Sequence, residues 1–321
     1  MPDIKNYLAV VDLGGTKILS AILNSNAEII SVAKKSTKSK KKNESIFGRI
    51  IQTIEEALEA KNLNSSQLDG IVLGIPGSLN PETRIVNLAP NLGLRNINAA
   101  EPIENHFNTK VLIENDANLG TLGIYHFERK DNCKNLIALF VGTGVGAGII
   151  INGELYRGKN FSAGEVGHIK VREKGNKCGC GNHGCLETEA SRTAITRIIN
   201  EDIKKGKKSI ITKLTDDRKI IKSGILAQAI KKKDKVTIKA VKHAAEELGI
   251  VTGNLINMFD FDCVVFAGGV MEAIGNFMLP VIKKKAKETA LKSNFTKTKI
   301  FISHLKDDAA LLGGFALFKN S

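Results

Sequence analysis

Cysteine is scarce in this 321-residue chain, and its five copies do not follow the pattern of a disulfide-stapled secreted domain. Three of them, Cys178, Cys180 and Cys185, lie within eight positions, whereas Cys133 and Cys263 stand apart. A chain of this length can bury a large apolar core without disulfides. The sequence therefore favours a reducing, cytoplasmic compartment, in which clustered thiols more often bind a metal.

Long apolar runs and an export leader are also missing. The longest uncharged apolar stretch, Leu136–Ile151, is shorter than the roughly 18–20 residues that a membrane span needs. Four glycines interrupt it. No charged-then-apolar segment opens the chain, so we expect no export signal and no membrane partner.

Negative charge is in deficit, because 47 Lys and Arg face 33 Asp and Glu and leave a net charge of +14. The excess comes from four lysine runs, at residues 34–42, 204–208, 231–235 and 283–287. Such runs can bind nucleic acid or another polyanion. These runs are scattered along the chain, only 5% of residues are aromatic, and no nucleic-acid motif accompanies them. We therefore interpret them as a solvated surface and predict no nucleic-acid partner.

Apolar periodicity predicts an α/β fold in two halves. The first half contains strand patterns at 7–15, 17–24, 28–35, 69–76 and 110–116 and a helix at 45–60. The pattern restarts with strands at 135–143 and 145–155, a helical region at 189–258 and a strand at 263–269. Each half has two strands joined by a glycine–threonine turn, which indicates a weak internal repeat. We place the boundary near Asp116 and expect the two domains to face each other across a cleft.

Three glycine turns follow apolar strands, in DLGGTK (12–17), VGTGVGAG (141–148) and FAGGV (266–270). Glycine lets a backbone approach a phosphate closely and aim N–H groups at it. None of the three has the spacing of a Walker loop, and the second continues into a strand rather than a Rossmann helix. One such turn is usually a plain hairpin. Three together indicate hairpins that hold a polyphosphate.

Polar side chains accompany these turns. Asn115 and Asp116 follow a buried strand, and Asp116 alone would be interpreted as a helix N-cap. Glu165 and His168 lie in AGEVGH, and Glu187 lies in CLET. Together they fit a polyhydroxylated ligand, because carboxylates accept from hydroxyls while Asn and His fix direction. We expect Glu165 and Glu187 to lie on the side of the cysteine segment away from the glycine turns.

With these motifs in place, the sequence resembles the ROK family, which comprises sugar kinases and related transcriptional repressors of the hexokinase–actin superfamily. The resemblance covers nearly the whole chain in order, through VDLGGTK, GIPGSLNPETRIVNLAPNLG, IENDAN, VGTGVGAGIIINGELYRG, AGEVGH, CGCGNHGCLE and DDAALLGGFAL. It implies a two-domain actin/hexokinase-like (ribonuclease H-like) α/β fold. Residues 1–117 would form the first domain and 118–305 the second, with the C-terminal helix at 306–321 returning to the first. The resemblance also implies a homodimer.

The resemblance implies residue roles as well. Asp116 would be the catalytic base. The sugar would be held by Asn91, Asn115, Asp116, Glu165, His168 and Glu187. ATP would be surrounded by Asp12, Gly14, Gly15, Thr16, Lys17, Gly142, Thr143, Gly144, Gly268 and Gly269. One structural zinc ion would be bound by His168, Cys178, Cys180 and Cys185.

The zinc interpretation also has a chemical basis. Three thiolates and an imidazole form a closed tetrahedral set that is typical of structural zinc. His183 is a rival fourth ligand by proximity in the sequence, and only the resemblance favours His168. With zinc on one ring nitrogen, the other nitrogen of His168 would hydrogen-bond a sugar hydroxyl.

These observations predict an ATP-dependent hexose kinase that uses Mg²⁺, with glucose as the first-choice substrate. The alternatives within the family are an N-acetylmannosamine or N-acetylglucosamine kinase and a fructokinase, and polyphosphate is an alternative donor. An alternative of another class is a sugar-sensing regulator. Asp116 argues against it, as does the expectation that no DNA-binding segment precedes the first strand. Leu94 stands where family glucokinases commonly carry Trp, so we expect a different pocket wall.

Overall fold

The computed structural model describes residues 6–37, 45–129 and 133–321, so residues 38–42 of the first lysine run lie outside the described residues. The chain divides into two compact units. The first contains Met1–Lys130, Leu155–Ala163 and Asp307–Ser321, and the second contains Asp131–Glu154 and Gly164–Lys306.

The elements are mostly strands up to residue 115 and mostly helices after residue 187. They begin with β1 (Tyr7–Leu13), β2 (Lys17–Asn24), β3 (Ile29–Ser36), α1 (Ile46–Glu59), β4 (Leu68–Ile75), β5 (Ser78–Asn80), β6 (Ile85–Ala89), β7 (Leu94–Asn98), α2 (Glu101–Phe107), β8 (Val111–Asn115) and α3 (Asp116–Ile124). They continue with β9 (Leu136–Val141), β10 (Val145–Ile151), β11 (Glu154–Leu155), α4 (Glu187–Ala190), α5 (Arg192–Lys204), α6 (Ile211–Leu214), α7 (Ser223–Lys231), α8 (Lys235–Phe259), β12 (Cys263–Ala267), α9 (Gly269–Thr289), α10 (Lys292–Phe295), β13 (Lys299–Ile302) and α11 (Asp308–Lys319). Among these described helices, none has both the length and the apolar composition that a bilayer span requires.

A five-stranded mixed sheet forms the centre of the first unit. Its strand order is β3-β2-β1-β4-β8, in which β1, β2 and β3 are antiparallel and β1, β4 and β8 are parallel. β1 and β4 are nearly continuous apolar runs, because both faces of these central strands are buried. α1 contributes Ile50 and Ile54 to the core on one face. The α1 start is capped by Ser45, whose hydroxyl accepts from Gly48 N at 3.0 Å.

The other face of this sheet is covered by α11, which packs closely on α3. A Cβ atom at Gly123 would collide with Ala309 O, and one at Gly313 would collide with Leu119 O. These glycines allow the two helix backbones to touch, so α3 stays with the first unit. The predicted boundary near Asp116 is therefore too early, because the described residues 118–129 belong to the first unit.

A small antiparallel sheet, in the order β5-β6-β7, was not predicted from the sequence. Its strands are three to five residues long, which is too short for a clear alternating pattern. The 3₁₀ turn between β6 and β7 carries Asn91. Leu94 is buried in the core of the first unit.

The second unit repeats the plan of the first. Its sheet has the order β11-β10-β9-β12-β13, with an antiparallel β9–β10 hairpin and with β12 parallel to both β9 and β13. A hairpin with a glycine turn, followed by a parallel neighbour, thus occurs in both units, as the sequence repeat predicted. The core under this sheet is formed mainly by α8 and α9.

Cys133 and Cys263 form a disulfide, although 130 residues separate them in the sequence. Cys133 precedes β9, and Cys263 begins β12, the parallel neighbour of β9. This pairing brings the two Cα atoms to 6.1 Å, which lies within the usual disulfide range. The sequence carries no local signal for this pairing.

Two of the lysine runs, 204–208 and 231–235, adjoin in the structure. Lys207 Nζ of the first of these runs lies 2.8 Å from Asp202 Oδ1, and Lys239 Nζ, four residues after the second run, lies 3.3 Å from Asp202 Oδ2. Ser209 Oγ donates to Asp234 Oδ2 at 2.9 Å. Runs that are scattered in the sequence therefore share one surface of the second unit, while their lysines stay exposed.

Candidate active site and metal cluster

The first glycine turn closes the β1–β2 hairpin. Gly14 N donates to Lys17 O at 2.9 Å, and Thr37 at the end of β3 donates through Oγ1 to Gly14 O at 2.6 Å. Asn91 lies against this turn, since a Cβ atom at Gly15 would be 3.4 Å from Asn91 Cβ. The first unit therefore brings the predicted sugar residue Asn91 to the predicted phosphate turn.

Asp12 and Lys17 flank this turn, together with Asp307 from the start of the C-terminal helix. Lys17 Nζ lies 2.5 Å from Asp307 Oδ2. The pKa of Asp12 is raised, chiefly because the carboxyl group is buried. Lys17 lowers this pKa in part, and the Asp307 carboxylate raises it further. A cation near Asp12 would therefore stabilise its ionised form. The sequence analysis assigned no role to Asp307.

Asn115 and Asp116 make different hydrogen bonds at the junction of β8 and α3. Asn115 is the N-cap, and its Oδ1 accepts from Ala117 N at 2.9 Å and from Asn118 N at 3.2 Å. Asp116 is the first helical residue, and its Oδ1 accepts from Ala117 N at 2.9 Å. The helix cap is therefore supplied by Asn115, and capping does not explain the carboxylate at position 116.

Asp12 and Asp116 lie at the same edge of the first sheet. β1, β4 and β8 are parallel neighbours, and both Asp12 and Glu114 pair with Gly74 in the strand register. Neighbouring strands are about 4.8 Å apart, so two spacings put roughly 10 Å between the ends of β1 and β8. The carboxyl ends of parallel strands are where α/β sheets usually bind ligands. A phosphate at the first turn would therefore lie near Asp116.

The second and third turns adjoin in the second unit. The second is closed by a hydrogen bond of 2.9 Å from Gly142 N to Gly144 O. The third begins at Gly268, which has a φ of +89° and where a Cβ atom would lie 2.8 Å from Val141 O. Gly269 begins α9. Because β12 and β9 are neighbours, the backbone of both turns reaches one sheet edge.

The start of α5 is attached to the second turn, which the sequence analysis missed. Arg192 N donates to Gly142 O at 2.9 Å, and Arg192 Nη2 donates to Thr143 Oγ1 at 2.7 Å. Thr193 Oγ1 donates to Thr143 O at 2.8 Å. The only local signal is Ser191, an N-cap residue ahead of an amphipathic helix, and it does not indicate a partner.

Glu187 contacts the second turn, contrary to expectation. Its Oε2 accepts from Val145 N at 3.0 Å, and a Cβ atom at Gly144 would collide with the same carboxylate. Its Oε1 lies 3.9 Å from Cys178 Sγ. The expectation that Glu187 lies away from the glycine turns is wrong. Arg192, which follows α4, is hydrogen-bonded to Gly142, and this bond holds α4 and its first residue Glu187 beside the second turn. Glu187 therefore connects the glycine turn to the cysteine segment.

His168 has different partners on its two ring nitrogens. Nδ1 lies 3.5 Å from Cys178 Sγ, and Nε2 lies 3.7 Å from Glu165 Oε2. One nitrogen therefore faces the cysteine segment while the other faces a carboxylate of the predicted sugar site.

His168, Cys178, Cys180 and Cys185 form one cluster, in which the ligand atoms all lie within 4.8 Å of one another. Cys180 Sγ and Cys185 Sγ are 3.8 Å apart. His183 is not in the cluster found among the described residues, and it pairs instead with Lys177 in an isolated β-bridge. The geometry therefore selects His168 over His183, which the sequence spacing left open.

The cluster fits a tetrahedral zinc ion. Bond lengths of about 2.3 Å to sulfur and about 2.0 Å to nitrogen imply roughly 3.8 Å between two sulfurs and about 3.5 Å between sulfur and nitrogen. The Cys180–Cys185 and His168–Cys178 distances match these values. Burial raises the pKa of Cys178 and raises that of Cys185 to about 12, whereas the Asn182 backbone N–H lowers the pKa of Cys180. A divalent cation would offset the cost of burying the thiolates of Cys178 and Cys185.

Comparison with known proteins agrees with this arrangement, since a profile of the ROK family matches residues 8–321. The chain belongs to the ROK family. A glucokinase of Halalkalibacterium halodurans is 34% identical over 310 residues, which cover 96% of this chain and 94% of that protein. A xylose repressor of Caldicellulosiruptor bescii is 33% identical over 307 residues, which cover 96% of this chain and 76% of the repressor.

A solved structure establishes the fold of this ROK protein. The ROK family glucokinase from Streptomyces griseus, in complex with glucose and AMPPNP, matches with a TM-score of 0.84 at 26% identity. The match covers 98% of this chain and all of that chain. The predicted α/β fold of the actin/hexokinase type is confirmed. Because ROK relatives include glucokinases and repressors, the function has to be argued from the site.

Proposed function

We propose that this ROK protein transfers the γ-phosphoryl group of ATP to a hydroxyl of a hexose, with glucose as the first candidate. The observation that carries the proposal is the shared sheet edge of Asp12 and Asp116, which lie two strands apart in the first unit. Phosphoryl transfer depends chiefly on positioning the acceptor hydroxyl in line with the γ-phosphate. Similarity to two glucokinases, at 34% and 29% identity, supports the proposal.

Asp116 is the proposed general base. It accepts the proton of the sugar hydroxyl as that oxygen forms its bond to the γ-phosphorus and the bond to the ADP oxygen breaks. Asn115 supplies the helix cap, so the Asp116 carboxylate is not required for that role.

The proposal assigns residues of both units to the sugar and to the phosphates. The sugar is held by Asn91, Asn115, Asp116, Glu165, His168 and Glu187. The phosphates are held by backbone N–H groups of Gly14, Gly15, Thr16, Gly142, Thr143, Gly144, Gly268 and Gly269, with Lys17 as a charged partner. In each unit one of the proposed sugar residues contacts a glycine turn, Asn91 in the first unit and Glu187 in the second.

Two metal ions complete the proposal. Mg²⁺ bound with ATP offsets the charge of the phosphates, and Asp12 is its candidate protein ligand. Zinc bound by His168 and the three clustered cysteines is structural, because four protein ligands leave no open position. His168 would be oriented by this ligation, and its other nitrogen would be available to a sugar hydroxyl.

A second candidate function is a sugar-sensing regulator without catalysis, favoured by the 33% identity to a xylose repressor. Within the kinase class, N-acetylmannosamine, N-acetylglucosamine and fructose are the alternative acceptors. Both candidates bind sugar, so binding alone does not distinguish them.

The deciding experiment measures ADP release from ATP and Mg²⁺ with a panel of these sugars. ADP release that depends on one sugar would support a kinase and name its substrate. A reaction without sugar controls for ATP hydrolysis, and a reaction with polyphosphate tests the alternative donor. Sugar binding detected by calorimetry, with no ADP release for any sugar, would contradict the kinase proposal and support the regulator.

A further inference from the structure

Glu114 is a buried carboxylate beside the proposed base, and the scheme above gives it no role. It lies two residues before Asp116, near the end of β8, and is 2% exposed. A buried carboxylate costs free energy unless it is paired and fully hydrogen-bonded. Its partners therefore indicate what it contributes to the junction of β8 and α3.

Three groups hold the Glu114 carboxylate. Arg157 Nε donates to Oε2 at 2.7 Å. Asn115 N donates to Oε1 at 2.9 Å, and Asn118 Nδ2 donates to the same oxygen at 3.0 Å. Asn118 is itself buried, in the first turn of α3. The Glu114 carboxylate thus links Asn115, the residue before Asp116, to Asn118 in the first turn of α3.

Arg157 reaches Glu114 from a segment with a fixed shape. It belongs to Leu155–Ala163, which is part of the first unit although the residues on either side in the sequence belong to the second. The segment closes on itself, because Ala163 N donates to Arg157 O at 3.0 Å and Gly158 adopts a φ of +70°. The guanidinium group of Arg157 is therefore held next to Glu114 by a closed loop.

We propose that Glu114 and Arg157 are a positioning pair for phosphoryl transfer. The pair fixes the Glu114–Asn115 peptide and holds Asn118 in the turn that Asp116 begins, and it thereby sets the direction of the Asp116 carboxylate. This inference rests on the proposed kinase function. The proposed function assigns neither residue to the sugar or to ATP, so in this proposal both act through the backbone. A small displacement of a reacting group can cost about 100-fold in rate, whereas substrate affinity depends on many contacts. Loss of the pair should therefore lower kcat and leave the KM values nearly unchanged.

The opposite end of β8 provides a matched control. Arg84 Nη1 lies 2.5 Å from Glu104 Oε1, and the same oxygen accepts from Val111 N at 3.1 Å. An Arg–Glu pair thus also holds a backbone N–H at the start of the strand, four residues before Asn115. Arg84→Met removes an ion pair that contacts the start of β8, away from the proposed base.

The test compares Arg157→Met, Arg157→Lys and Arg84→Met with the wild-type protein. The measurements are kcat, KM for sugar and ATP, the Tm, and amide hydrogen exchange over residues 113–118. Arg157→Met is expected to lower kcat about 10- to 100-fold, with KM values within about twofold of wild type. It should also speed exchange at residues 115–118. Arg157→Lys should restore part of kcat, because an ammonium keeps the charge but not the guanidinium geometry.

Arg84→Met is expected to keep both kcat and the exchange rates at residues 115–118. Several outcomes would overturn the proposal: an unchanged kcat in Arg157→Met, a loss that Arg84→Met reproduces, a parallel rise in both KM values, or unchanged exchange. If Arg157→Met does not fold, Arg157→Lys carries the test, with a smaller loss in kcat expected and an unchanged kcat refuting the pair. If the wild-type protein phosphorylates no sugar, the proposed function fails, and exchange alone decides whether the pair fixes this peptide.

Discussion

Replacing Asp116 by Asn separates proton transfer from helix stability. Asn keeps the size of the side chain and one acceptor oxygen, but it lacks the basicity of a carboxylate. The substitution leaves the N-cap of α3 in place, because that cap is Asn115. The structure therefore predicts a variant that folds normally and fails in catalysis.

The size of each effect follows from the position of Asp116. The structural cost is the loss of one negative charge at the first residue of a nine-residue helix. Such a charge contributes about 0.3–1 kcal/mol, so the Tm should fall by roughly 1–4 °C. A positioned general base contributes about 10²–10⁴-fold to rate, or roughly 2.7–5.4 kcal/mol of activation free energy. The expected loss of activity is thus several times the expected loss of stability.

The assay measures kcat, sugar affinity by calorimetry and the Tm on one preparation of Asp116→Asn. We expect kcat to fall by roughly two or more orders of magnitude while sugar affinity changes much less, since the lost interaction belongs to the transition state. Glu101→Gln removes a similar charge from the first residue of α2 and should keep kcat. Near-normal turnover in Asp116→Asn would remove Asp116 from the mechanism.

Four further predictions concern the metal cluster, two carboxylates and a helix cap. Cys180→Ser should lose the single zinc ion, measured by elemental analysis of protein purified without added metal, and should lower the Tm because metal binding is coupled to folding. Glu187→Gln should raise the KM for both sugar and ATP in steady-state kinetics, because Glu187 holds the second turn. Glu165→Gln should raise the KM for sugar alone. Asp234→Ala should cost about 2–4 kcal/mol in urea unfolding at pH 7, because Asp234 caps α8 and accepts four hydrogen bonds.

The Asp234 prediction carries a pH dependence. Burial raises the pKa of Asp234, but hydrogen bonds from Thr237, Ile210 and Ser209 outweigh it and lower the pKa below 3.8. The ionised side chain therefore contributes stability above pH 3.8, and this contribution is lost as the pH falls through the lowered pKa. The difference between wild type and Asp234→Ala should shrink below pH 3.8.

Each of these predictions can fail in a distinct way. Metal-free protein of unchanged stability would contradict the zinc site. An unchanged KM for ATP in Glu187→Gln would show that this carboxylate does not support the second turn. A pH-independent effect of Asp234→Ala would mean that the charge of Asp234 contributes nothing to its cap.

Features that depend on neighbouring residues could be predicted from the sequence. Apolar runs such as 7–13 and 136–141 became strands, because a strand buried on both faces requires continuous apolar residues. The glycine turns at 14–16 and 142–144 closed hairpins as predicted. Three cysteines within eight positions indicated a metal cluster before any contact was known. The short strands β5, β6 and β7 escaped prediction, because three to five residues show too little alternation.

The pairing of residues that are distant in the sequence depends on the tertiary fold. The parallel order β1-β4-β8 places Asp12 and Asp116 at one edge, although 104 positions separate them in the sequence. The fourth member of the cysteine cluster is His168 and not the nearer His183, because the chain path brings His168 to Cys178. Periodicity and propensity report on the local backbone, whereas strand order and loop packing arise from burial of surface shared by remote segments. The partner of a residue is therefore set by how the remote segments pack together, and it cannot be predicted from the residues next to it in the sequence.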